Sequence, residues 1–296
     1  TVVAEPWLKV DQLCPGDLEG ISFDSYGKLW FVEAHAPASR LHRIDCDTRE
    51  DTIVYADPFK RAMSSVRFGP DGRVWIPSVG PNFNHGYIFS CNYDGSDYRL
   101  ELEGPVVNDM VFDSKGGYYY TNFTGNISEQ TGSVIYVTPD HKQQIPLLGH
   151  LASPNGLTLS KDEKVVWVTE SNAMRLLRIT LVPDGGPVDI TPFGMRVVYS
   201  FMGGGVCDSC EIDDDDNLYV AMYQQGRILV FNSFGWPIGQ VLLAGRERGE
   251  HLLSTHCVIR PGTNELYICT NDPVHGAWIF KAGAYTTSSL ESLHIH

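Results

Sequence analysis

Residues 19–32, EGISFDSYGKLWFV, place in one line a polar residue, a short apolar run ending at Phe23, the polar turn DSYG, and a second run whose aromatic, Trp30, falls seven positions after Phe23. Two β-rich runs around a turn bearing Asp and Gly are the chemistry of a hairpin. The same arrangement recurs as SSVRFGPDGRVWIP (64–77), NDMVFDSKGGYYYT (108–121), NGLTLSKDEKVVWVT (155–169), DSCEIDDDDNLYVA (208–221) and THCVIRPGTNELYIC (255–269). In each, a large apolar anchor (Phe23, Phe68, Phe112, Leu159, Ile212, Ile259) precedes by seven or eight positions an aromatic (Trp30, Trp75, Tyr119, Trp167, Tyr219, Tyr267).

Successive anchors lie 44 to 53 residues apart. That period fits one four-stranded propeller blade and is far too long for a hairpin repeat. Further strand-like runs follow within the units, among them RLHRI, YIFSC, SVIYV, RLLRI, RILVF and AWIF. The expected fold is therefore all-β: a six-bladed β-propeller of four-stranded antiparallel blades around a central channel, with residues 1–296 as a single domain. An irregular sandwich would have no reason to repeat six times. The need to remove sheet edges predicts that VVAEPWLKV, near the start, closes the ring beside the last blade.

The charge balance limits the partners. With 22 Lys and Arg against 36 Asp and Glu, the formal charge of -14 repels phosphate backbones and argues against nucleic acid and anionic membranes. No apolar run approaches the roughly 18 residues of a membrane helix. Seven scattered cysteines are an odd set, unlike a dense disulfide framework, and point to reduced thiols in the cytoplasm. A removed leader is compatible with a chain that begins at Thr1, and glycosylation sequons stand at Asn122 and Asn126, a pattern that often arises by chance.

In a propeller, equivalent positions at the start of each inner strand converge on the axis. Here they read Glu19, Ser64, Asn108, Asn155, Asp208 and Thr255, every one an oxygen-bearing side chain. The next column reads Gly20, Ser65, Asp109, Gly156, Ser209 and His256. Carboxylates and amides meeting in a low-dielectric channel repel or stay unsatisfied unless a cation sits among them. Oxygen donors favour calcium, with magnesium or manganese next and zinc less suited. Glu19, Asn108, Asn155 and Asp208 are the expected metal ligands, with Ser209 nearby; a hydrogen-bonded water column is the alternative. Asp109 and His256, in the second column, are candidates for acid and base work, a histidine titrating near neutral pH. Ser64, Phe83, Phe123, Met222 and Tyr223 are the expected substrate contacts.

The segments GDLEGISFD, VVNDMVFDSKGG, SPNGLTLSKDEKVVWVTES and CDSCEIDDDDNLYVAMYQQGR resemble the senescence-marker-protein and gluconolactonase family of propellers, and the resemblance extends over essentially the whole chain. It implies a calcium-dependent hydrolase that opens lactone rings, with ligands at Glu19, Asn155 and Asp208, a further ligand position at Asn108, and Asp208 as the first candidate for acid and base work, ahead of Asp109 and His256. The Glu, Asn, Asn, Asp set is also similar to the catalytic calcium site of diisopropyl-fluorophosphatase-like propellers, which keeps phosphotriester or aryl-ester hydrolysis open. Sugar-lactone members of the family carry an arginine two residues before the Asn-Asp pair, where this chain has Val106. The departure implies a less polar, non-sugar lactone as the small-molecule substrate. Ring closure or isomerisation on the same scaffold, and a noncatalytic calcium-binding propeller, complete the alternatives. A second calcium, which the resemblance also implies, has no cleanly aligned ligands in residues 84–108.

The stretch VCDSCEIDDDDNLYV (206–220) carries two distractions. Its CxxC spacing on a strand sends Cys207 and Cys210 to opposite faces, so it is not expected to hold metal. Asp213 to Asp216 align with the turns DSYG, GPDG and DSKG and read as a hairpin turn.

Overall fold

The computed structural model describes residues 1–10, 17–34, 39–181 and 194–295; Cys14 lies outside them. Among the described residues the regular structure is all strand apart from one 3-10 turn, Arg246–Arg248. After β1 (Val2–Lys9), the chain makes four separate four-stranded antiparallel meanders. The first comprises β2 (Leu18–Phe23), β3 (Leu29–Glu33), β4 (Arg40–Ile44) and β5 (Asp51–Ala56), and the second β6 (Arg67–Phe68), β7 (Val74–Ser78), β8 (Gly86–Cys91) and β9 (Arg99–Gly104). The third comprises β10 (Val107–Phe112), β11 (Tyr118–Asn122), β12 (Gly132–Val137) and β13 (Gln144–Leu151), and the fourth β14 (Pro154–Leu159), β15 (Val165–Glu170), β16 (Arg175–Thr180) and β17 (Met195–Ser200). Inner strands of successive units pack side by side, β10 on β14, β14 on β18 (Val206–Ile212), β18 on β22 (Leu253–Ile259), and β22 on β2. This is a propeller-like arrangement of blades.

The last two repeats depart from the expectation of separate blades. β18, β19 (Leu218–Tyr223), β20 (Arg227–Phe231), β21 (Pro237–Leu243), β22, β23 (Glu265–Asn271) and β24 (Trp278–Gly283) join with β1 into one eight-stranded sheet. The cause is the N-terminal strand. β1 is antiparallel to β24, pairing Glu5 with Lys281, and its first residues run parallel to β21, pairing Val2 with Val241. A bridge between Tyr223 and Leu253 adds a second seam. Both edges of β1 are thereby covered, as the sequence required of VVAEPWLKV.

In three of the units the turn and the aromatic share a physical reason. Asp24 caps its turn by accepting from the backbone N–H of Tyr26 and Lys28, and it also accepts from Trp30 Nε1 at 2.8 Å. Asp71 does the same for Arg73 N and Trp75 Nε1, and Asp213 for Asp215 N, Asn217 N and the Tyr219 hydroxyl. One carboxylate fixes the turn and satisfies the polar end of a buried ring. The tetra-aspartate is thus a hairpin turn, as expected.

A buried polar cluster joins the outer strands of the first blade. Arg40 donates twice to Glu33, at 2.6 and 2.7 Å, while His42 stacks on Phe31 with centroids 4.7 Å apart and places Nδ1 2.9 Å from Asp51. Burial disfavours the charge on His42, but Asp51 and Glu33 outweigh it and hold the imidazole above its usual range. A raised folded pKa stabilises fully below the unfolded value of about 6.5 and loses that contribution as pH climbs through the folded value. The stability advantage of the wild type over His42→Gln should accordingly be largest near about pH 6 and shrink toward about pH 9. Thermal melts across that range check this, and a difference that does not vary with pH would refute it.

Candidate functional site

Where five of the inner strands enter the channel, the ladder slips; β6 shows no such shift. The register shifts between Glu19 and Ser22, Val107 and Met110, Pro154 and Leu157, Cys207 and Cys210, and Ser254 and His256. A bulge inserts an extra residue and re-aims the side chains beside it, and these bulges coincide with the first and second columns of the repeat. Hydroxyls on the second strands β11 and β15, and on the inner strand β22, then tie three of these segments to the next blade. Thr121 Oγ1 donates to the Asn155 carbonyl and Thr169 Oγ1 to the Asp208 carbonyl, each at 2.6 Å. Thr255 Oγ1 donates to the Leu18 carbonyl, also at 2.6 Å, so the last blade positions the first.

The result is a cavity of about 280 Å³ at the channel mouth. Its lining combines polar residues, Asp17, Glu19, Ser64, Asn108, Asn155, Asp208 and Tyr223, with apolar ones, Met63, Val79, Phe83, Phe123 and Val206. Eight of the residues singled out in the sequence, Glu19, Asn108, Asn155, Asp208, Ser64, Phe83, Phe123 and Tyr223, therefore line one cavity. Glu19 is held well above the usual carboxylate range by burial, with Asp208 and Asp17 adding repulsion. Asp208 is pushed up to about 8 by burial and by Asp17, against a hydrogen bond from the Asn155 side chain. Asn155 Oδ1 is buried without a hydrogen-bond partner.

Four expected residues lie elsewhere. Met222 is fully buried in an apolar cluster with Phe201, Ile212 and Phe231, because its strand turns that face to the core. Ser209 is buried behind Asp208 and is absent from the cavity lining. Asp109 is engaged below the cavity by Ser65 Oγ at 2.7 Å and Arg67 Nη2 at 2.9 Å, which leaves it poorly placed to exchange protons with a ligand above. His256 is fully buried away from the lining, and burial, with the Arg67 charge adding, holds it well below its usual range and so neutral. The CxxC reading also changes. The bulge between Cys207 and Cys210 resets the alternation, and both thiols enter the same apolar cluster instead of opposite faces. Both remain free thiols, pushed up by burial.

Sequence reasoning missed Asp17, Ser171 and Asn172, which also line the cavity. Asp17 precedes the aligned repeat, and Ser171 with Asn172 follows the second strand, so column alignment could not reach them. Tyr223 donates its hydroxyl to Asp17 Oδ2 at 3.3 Å, linking the ring expected from sequence to the carboxylate that was not.

Comparison with known proteins places this architecture. Residues 18–272 match the model of the SMP-30/gluconolactonase/LRE-like region. The chain belongs to that family. This family member is 42% identical to the lactonase drp35 of Staphylococcus saprophyticus over 292 residues, spanning 96% of this chain and 88% of the relative. It is 42% identical to the lactonase drp35 of Staphylococcus aureus strain USA300 over 276 residues, 92% of this chain and 83% of the relative. Among solved structures, the calcium-binding protein regucalcin from Agrobacterium tumefaciens superimposes over all of both chains with a TM-score of 0.77 at 19% identity. A gluconolactonase from Xanthomonas campestris gives 0.73 at 15% identity over 96% of this chain and 97% of its own. These structural likenesses speak to the fold.

Proposed function

We propose that this family member is a divalent-cation-dependent lactonase acting on a relatively apolar, non-sugar lactone, and that the ion is calcium. The observation carrying the metal reading is the buried, unpartnered Asn155 Oδ1 beside two carboxylates, Glu19 and Asp208, that burial and neighbouring carboxylates hold high. An all-oxygen set of Glu19, Asn108, Asn155 and Asp208 suits a hard cation, and such a donor cluster lacks only the positive charge. The names of the drp35 relatives support the lactonase reading. The eight-stranded sheet is best read as a fifth and a sixth blade laid edge to edge through β1, which gives six blades in a single domain over residues 1–296.

When bound, the ion supplies Lewis-acid polarisation of the ester carbonyl. The protein's own groups do the rest. An Asp208 carboxylate oxygen, oriented by the Asn155 amide, takes a proton from water as the water oxygen bonds to the carbonyl carbon. The same oxygen returns the proton to the ring oxygen as the C–O bond breaks, and the product is a hydroxy acid. Phe83 and Phe123, with ring centroids 6.4 Å apart, and Val79 exclude water from the substrate's hydrocarbon side. Val106 is buried with Ala62, Val79 and Phe123 instead of offering a guanidinium to sugar hydroxyls.

The test is a panel of aliphatic, aromatic and sugar lactones, with a phosphotriester and an aryl ester alongside, run with chelator and with calcium restored. Aliphatic or aromatic lactones should open, and chelation should lower the rate on the order of a hundredfold or more, reversibly. Undiminished activity after chelation, with no bound metal by elemental analysis, would remove the cation from the mechanism; preference for the phosphotriester would reassign the substrate.

A further inference from the structure

The same end of the last blade carries a second donor cluster of different chemistry. His251 precedes β22, while Asp272 and His275 lie in the loop after β23, and one ligand atom from each of the three lies within 4.8 Å of the others. The geometry points to a binding site for a late first-row divalent cation of the zinc class, held by two imidazoles and one carboxylate and separate from the oxygen-lined cavity.

Three observations carry this assignment. His251 is 8% exposed, and its Nδ1 is buried without any hydrogen-bond partner. A buried polar atom left unpaired is costly, and an imidazole nitrogen suits a cation of this class. Asp272 is pinned in place: Oδ2 accepts from His251 N at 2.8 Å, and Oδ1 accepts from Val274 N at 2.7 Å and His275 N at 2.8 Å. The His275 ring closes the third side, with Nδ1 3.1 Å from Asp272 and its centroid 5.6 Å from that of His251. Metal bonds of about 2.0–2.2 Å bring tetrahedral donors to roughly 3.4 Å from one another. The cluster must therefore tighten slightly, and His275, whose side chain is 47% exposed, has the freedom to swing.

The position suggests what the ion would do. Asn271, adjacent to Asp272, accepts from Leu18 N at 3.1 Å, next to Glu19. Leu253, two residues beyond His251, pairs with Tyr223 of the cavity. A cation here would clamp two loops that buttress both sides of the cavity mouth.

The test titrates cobalt(II) into the full-length protein already loaded with calcium, comparing wild type, His275→Ala and Asp208→Ala. Wild type and Asp208→Ala should each take up one equivalent with visible ligand-field absorption, which excess calcium does not displace because nitrogen donors suit it poorly. His275→Ala should bind at least about tenfold more weakly. In melts, zinc should raise the wild-type midpoint and leave that of His275→Ala unchanged. Indistinguishable cobalt titrations of wild type and His275→Ala would overturn the site, as would displacement by calcium. Loss of the signal in Asp208→Ala alone would instead place the cobalt in the central cavity.

Discussion

Asp208→Ala should lose lactone ring opening, with kcat/KM lower on the order of a thousandfold or more, because in the proposed mechanism one side chain serves as both ligand and proton carrier. The informative part is the opposite behaviour of stability. Burial and neighbouring Asp17 push Asp208 up, as burial and Asp208 push Glu19 up. A carboxylate with a raised folded pKa costs stability as pH rises above its unfolded value near about 4. In chelator at neutral pH, therefore, Asp208→Ala should melt no lower than the wild type. On adding calcium only the wild type should gain, since ligand binding to the native state alone raises the midpoint. Wild-type activity in a folded Asp208→Ala protein would exclude Asp208 from catalysis. A large loss of stability in chelator would show that its charge is already compensated without a metal.

The second large effect needs no chemistry at all. Gly20 has a φ of +56°, and a Cβ there would lie 2.2 Å from Ser65 Cα, 2.8 Å from Ser65 C and 2.9 Å from the Ser64 carbonyl. Gly156 repeats the arrangement, its Cβ falling 2.4 Å from Ser209 Cα and 2.7 Å from Cys210 N. The obstacles are backbone, for Gly20 the segment leading into β6, whose Ser64 and Ser65 hydroxyls donate to the Val107 carbonyl and to Asp109, and for Gly156 the strand β18, so nothing flexible can give. Gly20→Ala should destabilise by about 3 kcal/mol or more through overpacking and positive-φ strain together. Denaturant unfolding at saturating calcium measures it. A loss below about 0.5 kcal/mol, the usual range for a harmless surface change, would mean that the two strands can separate at the channel.

These glycines also show how far the sequence could be read. The anchors and aromatics survive in all six units because each unit solves one local problem, capping a turn and burying a ring, and local solutions leave periodic traces. The oxygen-bearing first column was legible for the same reason: Glu19, Asn108, Asn155 and Asp208 occupy equivalent backbone positions. What escaped were features produced by relations between blades. The bulge that re-phases Cys207 and Cys210 is set by pairing with β19, and no alternation rule applied to β18 alone could place both thiols in one cluster. Asp109 and His256 occupy a channel column yet face below the cavity, a distinction of depth that a linear alignment does not encode. Asp17, Ser171 and Asn172 reach the cavity from outside the aligned segments. The His251, Asp272 and His275 cluster joins loops on either side of β22 and β23, so its members share no repeat position.

The placement of β1 also dictates an order of events during synthesis. Val2 has its partner at Val241 and Glu5 at Lys281, so β1 is synthesised well before its partners and waits for β21 and β24 before it can pair. At roughly 5–20 residues per second, that interval is on the order of tens of seconds, during which the intervening meanders can form while the ring stays open. Leu18 and the strand bearing Glu19 also lean on Thr255 and Asn271. The cavity is therefore completed only after residues 255–271 have emerged, and a product truncated before them can hold most of its blades without having a finished cavity.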